Sequence, residues 1–167
     1  MKNLLFLCVA ALLFVSCSKD SSDDVSPIAE KKIKVEVDFS GSYQNYQLLF
    51  TINSLTKTDG AFVEPLITIP INTQWTQIIP QGNAYNYISD LDNPKFVLES
   101  KEAVSSLIFL LSATQIKNTD DLTQTPLSAV VKVYANDKII ETYNYTTLPV
   151  GNVTEPLTKT INISEYK

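Results

Sequence analysis

Histidine and arginine are both absent from this chain of 167 residues, so its 13 basic side chains are all lysines. Without histidine, the chain lacks the usual general base, the usual partner of serine and cysteine nucleophiles, and the commonest metal ligand. Without arginine, it lacks the bidentate group that proteins favour for phosphate and guanine. The net charge of −5 also opposes contact with a nucleic-acid backbone. We therefore expect a non-catalytic protein that needs no cofactor or metal and binds no nucleic acid.

Long hydrophobic runs are also scarce, and the clearest one lies at the N-terminus. After the positive start Met1-Lys2-Asn3, residues 4–15 are all Leu, Phe, Val, Ala or Cys. This run of twelve residues is too short to span about 30 Å of hydrocarbon, which takes about 20 residues. The pattern is typical of the central region of a secretory signal peptide. We expect residues 1–16 to be a signal peptide that is removed.

The end of this run, Leu13-Phe14-Val15-Ser16-Cys17, resembles the lipobox of bacterial lipoproteins. Residues 18–24, which include three aspartates, make the segment similar to lipoproteins of the Bacteroidota. The resemblance implies that Cys17 becomes the first residue of the mature chain, carries the lipid and holds the protein at the outer membrane. Acidic residues after the lipidated cysteine resemble the signal for display on the cell exterior. The periplasmic face of the membrane is the alternative.

Cysteine usage agrees with this assignment. Cys8 lies in the segment to be removed, so Cys17 is the only thiol of the mature chain. An intramolecular disulfide is then impossible, even in an oxidising compartment. The alternative for Cys17 is a free or intermolecular thiol.

Serine, aspartate and proline dominate the residues that follow the cysteine. A stretch of this composition cannot offset its ordering entropy by burial. We therefore expect residues 17–31 to comprise the lipidated cysteine and a flexible acidic tether, and residues 32–167 to form the folded domain.

From residue 32 onward the hydrophobic pattern has a period of two. Apolar and polar residues alternate over residues 33–39, 46–53 and 157–163. Shorter or less regular candidates are residues 67–72, 74–79, 96–99, 107–111, 129–133 and 139–146. Such alternation is typical of half-buried strands. With turn signals between the strands, it predicts one all-β domain, a β-sandwich of about seven to nine mostly antiparallel strands.

Four segments carry more specific expectations. Pro65 and Pro70 push the strand at residues 67–72 to a sheet edge. The continuous apolar run at residues 107–111 predicts a central strand covered on both faces. Asn136-Asp137 tolerates left-handed backbone geometry and so predicts a tight hairpin turn. Residues 101–106 fit a short crossover helix.

The hairpin at residues 129–140 carries a second resemblance. An apolar-Lys-apolar-Tyr strand, here Val131-Lys132-Val133-Tyr134, runs through an Asn-Asp turn into a second strand. This arrangement resembles small bacterial lipoproteins whose single domain is immunoglobulin-like or transthyretin-like. The resemblance implies a sandwich of that kind and brings no catalytic residues with it.

Aromatic residues in polar surroundings are the candidate ligand-binding residues. They are Tyr43, Tyr46, Trp75, Tyr85 and Tyr87. Exposed rings beside Asn and Gln suit stacking against sugars or a partner protein. The alternative is that Trp75 is the core aromatic of the sandwich and that the tyrosines cap its edges.

Two acidic segments could offer oxygen ligands to calcium. An EF-type loop that starts at Asp90 would need glycine at its sixth position and glutamate at its twelfth. The chain has Lys95 and Lys101 there, so that loop is excluded. A plain turn is favoured at this segment and at Asp120-Asp121.

These features together predict binding rather than catalysis. We expect a lipid-anchored lipoprotein with a non-catalytic binding or structural role, foremost protein–protein interaction with an envelope protein. A carbohydrate-binding module that uses the loop aromatics is one alternative. The other is a glycoside hydrolase built on paired carboxylates, which needs neither histidine nor arginine.

The lipid anchor is directly testable. Cys17→Ala should abolish acylation and leave the precursor unprocessed at this site, because the modified sulfur is gone. Labelling of cells with a fatty-acid probe would measure this. Cys8→Ala is the control and should leave acylation intact. Lipid on the mature Cys17→Ala protein would contradict the assignment.

Overall fold

The computed structural model describes residues 29–77, 84–88, 93–116, 125–149 and 152–166. The predicted signal peptide, Cys17 and most of the tether lie outside the described residues, as do Asp90 and the pair Asp120-Asp121. Within the described ranges the chain forms ten β-strands and two 3-10 turns, Tyr43–Asn45 and Ile163–Glu165.

The strands form two antiparallel five-stranded sheets, which confirms the predicted all-β sandwich. In chain order they are β1 (Ile33–Ser40), β2 (Tyr46–Thr56), β3 (Pro65–Ile69), β4 (Thr76–Gln77), β5 (Tyr85–Ile88), β6 (Lys95–Ser100), β7 (Ser106–Gln115), β8 (Ser128–Ala135), β9 (Lys138–Thr146) and β10 (Leu157–Asn162). The first sheet has the order β3-β6-β1-β8-β9, and the second has the order β10-β7-β2-β5-β4. The strand that sequence patterning missed is β5, whose four residues are too few to show a period.

Alternation decides which residues enter the core. In β1 the side chains of Ile33, Val35 and Val37 are buried, and the lysine and acidic residues between them face outward. Phe50 on β2 joins the two sheets, with its ring centroid 5.1 Å from Phe96 of the first sheet and 5.4 Å from Phe109 of the second. Burial of each such ring contributes roughly 1.5–3 kcal/mol.

Turn chemistry at the β8–β9 hairpin and the β3 edge agrees with the sequence. Asn136 and Asp137 have φ values of 47° and 66°, the left-handed pair that a two-residue hairpin turn requires. β3, which starts at Pro65, lies at the edge of the first sheet, where a missing N–H does no harm.

Two other expectations are corrected. β7 is not covered on both faces: Leu107, Phe109 and Leu111 are buried, whereas the alternate residues are half-buried because they face away from the core. Residues 101–106 form no helix. Val104 instead exchanges backbone hydrogen bonds with Lys31, so this crossover is an extended segment between the sheets.

The outer faces of the two sheets differ in charge. Lysine and carboxylate side chains cover the outer face of the first sheet, called here the charged face, and include Lys34, Glu36, Asp38, Lys95 and Lys132. The outer face of the second sheet, called here the uncharged face, has no charged side chain on its described strands, and a carboxylate meets it only at one corner, where the Asn162 side chain donates to Glu165 Oε1 at 2.9 Å. Its members are Gln47, Leu49, Thr51, Asn53, Ser54, Thr56, Thr76, Asn86, Ile88, Ser106, Ile108, Leu110, Ser112, Thr114, Thr158, Thr160 and Asn162.

Two glycines with left-handed backbones form a matched pair for a stability test. A Cβ on Gly41 (φ +73°) would lie 2.1 Å from the carbonyl oxygen of Pro126, whereas a Cβ on Gly60 (φ +83°) would meet open space. Gly60→Ala should cost about 1 kcal/mol through backbone strain alone. Gly41→Ala should cost about 2 kcal/mol more because the neighbouring backbone must move. Urea unfolding of the two variants measures the difference, and equal losses would contradict the close approach at Gly41.

Candidate functional site

The described chain enters the sandwich at one end, called here the N-terminal end. The backbones of Lys31 and Val104 donate to each other at 3.0 Å in both directions. The Thr58 N–H donates to Glu30 Oε1 at 2.8 Å. These bonds tie residues 30 and 31 to the crossover before β7 and to the turn after β2. The tether predicted from the sequence would therefore join the domain at this end.

The opposite end, called here the distal end, is closed by a hydrogen-bonded threonine between the sheets. Thr147 is buried and accepts the Leu127 N–H at 3.0 Å through Oγ1. The same hydroxyl bonds Tyr46 Oη of the second sheet at 3.2 Å. A buried hydroxyl that is satisfied in this way holds the ends of β2 and β9 in a fixed relation.

A cleft opens at the distal end because β7 continues past its neighbour β10. Their pairing starts at Leu111 and Leu157, so residues 112–115 of β7 have no β10 residue beside them. The Ala113 N–H donates instead to Tyr145 Oη at 3.2 Å. Residues 152–156 form the opposite wall, and the cleft between them has a volume of about 470 Å³. We call it the distal cleft.

Apolar side chains stand exposed around the distal cleft. Val153 is 86% exposed and Leu148 is 50% exposed. The Leu148 N–H donates to Thr154 Oγ1 at 2.8 Å, which holds this wall together. Glu155 is the one charged residue among the described residues that line the cleft. Scarcity of charge beside exposed apolar groups is typical of the centre of protein interfaces.

The five aromatic residues predicted to bind ligand fall into two groups. Tyr43 and Tyr46 lie at the distal end, where Tyr46 lines the distal cleft. Trp75, Tyr85 and Tyr87 cluster at the lateral edge formed by β4 and β5, with ring centroids 6.2 Å and 6.5 Å from Trp75 to the two tyrosines. The sequence alone could not show that these two groups are separate.

Burial corrects the interpretation of two of these residues as exposed stacking platforms. Tyr46 is 5% exposed and Tyr87 is 6% exposed, and both belong to the core. The Tyr87 ring stacks on Phe96 at 4.5 Å, so one of its faces is occupied within the core. Both face inward because strand alternation places them beside the other core positions of β2 and β5. Tyr43, Trp75 and Tyr85 are partly buried against the core.

Trp75 also lines a second cleft, of about 350 Å³, at the β3 edge. Its walls are apolar at Pro65, Leu66 and Ile67 and polar at Thr73 and Gln74. Glu64 and Lys101, which pair with each other, also line it. The indole N–H of Trp75 is buried and has no hydrogen-bond partner among the described residues. Such a group costs free energy unless an acceptor reaches it.

Ion pairs across strands organise the charged face. Lys95 Nζ lies 3.2 Å from Glu36 and 3.4 Å from Asp38, and Lys34 Nζ lies 3.1 Å from Glu36. Partial burial of Glu36 opposes its ionisation, but hydrogen bonds from Lys34 and Lys95 outweigh this, so the pKa of Glu36 lies below its ordinary value. The hydrogen bond to Glu36 likewise raises the pKa of Lys95.

Two carboxylates share one described cleft. Glu99 and Asp137 line a space of about 380 Å³ at the N-terminal end, together with Lys32 and Lys34. Both acids are exposed, whereas a general acid at neutral pH needs burial or a like charge nearby.

Within the described ranges no three His, Cys, Asp or Glu side chains gather as metal ligands. The same ranges contain no candidate for a membrane-spanning helix.

Comparison with known proteins supports the fold. No family model and no curated protein matches the sequence. The fold is similar to that of the calcium-bound form of a protein from Parabacteroides distasonis, solved by NMR, with a TM-score of 0.57 and 13% identity over 79% of this chain and 92% of that one. It is also similar to a DUF4425 family protein from Bacteroides ovatus, with a TM-score of 0.55 and 14% identity over 80% of this chain and 94% of that one. Identity at this level shows the fold alone, and the immunoglobulin-like or transthyretin-like assignment stays a prediction.

Sequence reasoning missed the distal cleft. Its outer wall lies in the connection between β9 and β10, which carried no strand pattern. A usable signal was present, because Leu148 and Val153 stand in that connection among residues that are nearly all uncharged. Apolar residues in a connection stay exposed unless the connection folds back onto the core.

The ion pairs of Glu36 predict a specific pH dependence. Because its folded pKa lies below the ordinary value of 4.5, Glu36 stabilises the fold above that pH, and this contribution is lost as the pH falls through the folded pKa. Glu36→Gln should lower the free energy of unfolding by about 0.5 kcal/mol at pH 7 and by nothing at pH 2.

Urea unfolding at the two pH values checks this prediction. Glu155→Gln removes the same charge from an exposed segment and is the control, because it breaks no ion pair of the charged face. A deficit of the Glu36→Gln protein that persists unchanged at pH 2 would contradict the ion-pair explanation.

Proposed function

We propose that this chain is a lipoprotein anchored through Cys17 to the outer membrane, facing the cell exterior, and that it binds a protein partner without catalysis. The observation that carries the proposal is the placement of the distal cleft. The chain enters at the N-terminal end, where Lys31 pairs with Val104, and the cleft opens at the opposite end. A tether at the first end would leave the cleft at the end of the domain farthest from the point of attachment.

Several features of the distal cleft favour a protein partner. Leu148 and Val153 offer exposed apolar contacts, and the backbone of residues 112–115 borders the opening. Apolar contacts with few charges around them match the chemistry of a protein surface better than that of an anionic ligand. Loops at the end of a rigid sandwich can also carry binding residues without any change to the core.

Carbohydrate binding at Trp75 is the second candidate function. An indole face beside Thr73 and Gln74 suits a sugar, which presents an apolar ring face and hydroxyl oxygens. The indole N–H is buried, so a sugar oxygen could accept from it only if the side chains around the ring moved aside. Tyr46 and Tyr87, which are buried, take no part in this version of the site.

Hydrolysis and calcium binding are weaker candidates. Glu99 and Asp137 are exposed beside two lysines, whereas a general acid at neutral pH needs a buried site or a like charge nearby. The calcium-bound state belongs to the Parabacteroides distasonis protein, and 13% identity carries no ligand to this chain. Asp90 and Asp92, the acids of the predicted turn, lie outside the described residues.

Site-specific cross-linking in cells tests the proposed function. A photoreactive amino acid at Val153 should give one discrete protein adduct, because this position is exposed beside the distal cleft. The same amino acid at Thr58, exposed at the N-terminal end, is the control and should give none. The identity of the adduct, determined by mass spectrometry, also reports the compartment that the distal end faces.

A second variant makes the result specific to the cleft. Leu148→Asp places a charge on an exposed apolar residue of the same surface and should reduce the Val153 adduct at least about tenfold. Equal adducts at Val153 and Thr58, or an adduct that survives Leu148→Asp, would contradict binding through the distal cleft.

A further inference from the structure

The uncharged face of the second sheet has the anatomy of an interface. Leu49, Ile108 and Leu110 are half-buried at its centre although they point away from the core, and Ile88 beside them is 57% exposed. Threonine, serine, asparagine and glutamine side chains surround this apolar centre. An apolar centre within a polar and uncharged rim is typical of the surface by which proteins associate.

Hydrogen bonds between side chains hold the polar part of this face in place. Thr51 Oγ1 donates to Asn86 Oδ1 at 2.7 Å across β2 and β5. Thr56 and Ser106 share a hydrogen bond at 2.8 Å across β2 and β7. Polar groups that are already paired with each other lose little when water is removed from above them. These four side chains can therefore be covered at a low desolvation cost.

Charge limits what can cover the face. The chain carries a net charge of −5, so two copies repel each other in most orientations. The charged face would bring like charges together or would require its ion pairs to rearrange. The uncharged face adds no such repulsion, and sheets pack readily against sheets at about 10 Å. A second copy that presents the same face meets these conditions.

The size of the face sets the strength of such an association. Its five strands cover roughly 500 Å² of flat sheet, at about 3.3 Å per residue and 4.8 Å between strands. A standard interface buries about 800 Å² on each partner. The face thus matches a weak, concentration-dependent dimer. Tethering to one membrane would confine the chains to a thin layer and so favour the contact, a step that rests on the proposed lipid anchor.

We propose that two copies of this chain associate through the uncharged face, with the second sheet of each packed against that of the other. The contact is symmetric, so residues near its axis meet their own counterparts. The uncharged face and the distal cleft share Ser112 and Thr114, so one rim of that cleft would lie beside the dimer contact.

The test measures the mass of the full chain, extracted in a mild detergent, by light scattering at rising protein concentration. We expect the protein mass to rise from one chain towards two. Thr158→Lys adds a charge to an exposed position of the uncharged face, opposite Leu110 in the β10–β7 pairing. It should weaken the association at least about tenfold, because an unpaired charge would lose its water in the contact.

Matched variants keep the result interpretable. Thr146→Lys makes the same change at an exposed position of the edge strand β9, on the other sheet, and should leave the association unchanged. Ile88→Ser removes exposed apolar surface without disturbing the core and should also weaken it. A single-chain mass at every concentration, or equal effects of Thr158→Lys and Thr146→Lys, would overturn the proposal. The measurement needs neither a partner nor a membrane, so its outcome is separate from that of the cross-linking experiment.

Discussion

The packing of Phe50 between the two sheets is the constraint on which the rest of the structure depends. Its ring contacts Phe96 on the opposite sheet and Phe109 on β7, the neighbouring strand of its own sheet. A strand that slipped by one residue would turn every inward side chain outward. The positions of these three rings therefore also decide which residues form the charged face and which form the uncharged face. The same strand register thus determines both the core and the two outer faces.

The two ends of the sandwich are closed in different ways. The N-terminal end is closed by backbone pairing between Lys31 and Val104. The distal end is held by hydrogen bonds of the Thr147 hydroxyl between the sheets. Next to this hydroxyl, β7 extends beyond its pairing with β10. Loops can vary at such an end without loss of the core, since they bury little. The distal cleft is thus a consequence of unequal strand lengths.

Local patterns predicted some elements better than others. The alternation of β1 and the Asn136-Asp137 turn were read correctly because each depends on neighbouring residues only. The apolar run of β7 does identify a strand, but within one chain only its inward side chains are covered, because its outer residues belong to the uncharged face. Among the candidate aromatics, Tyr46 and Tyr87 are buried because they lie on the inward side of β2 and β5. Which side of a strand faces inward depends on its pairing with strands distant in sequence.

By itself, the sequence determined that the domain is an all-β sandwich with polar turns, because a period of two can be read from adjacent residues. It also carries the lipobox resemblance at Cys17, which is local. Only the tertiary structure decided where the two clefts lie and that, among the described strands, one sheet face carries charged side chains while the other carries none. The physical reason is that those features arise from strand order and register, which join residues far apart in the chain.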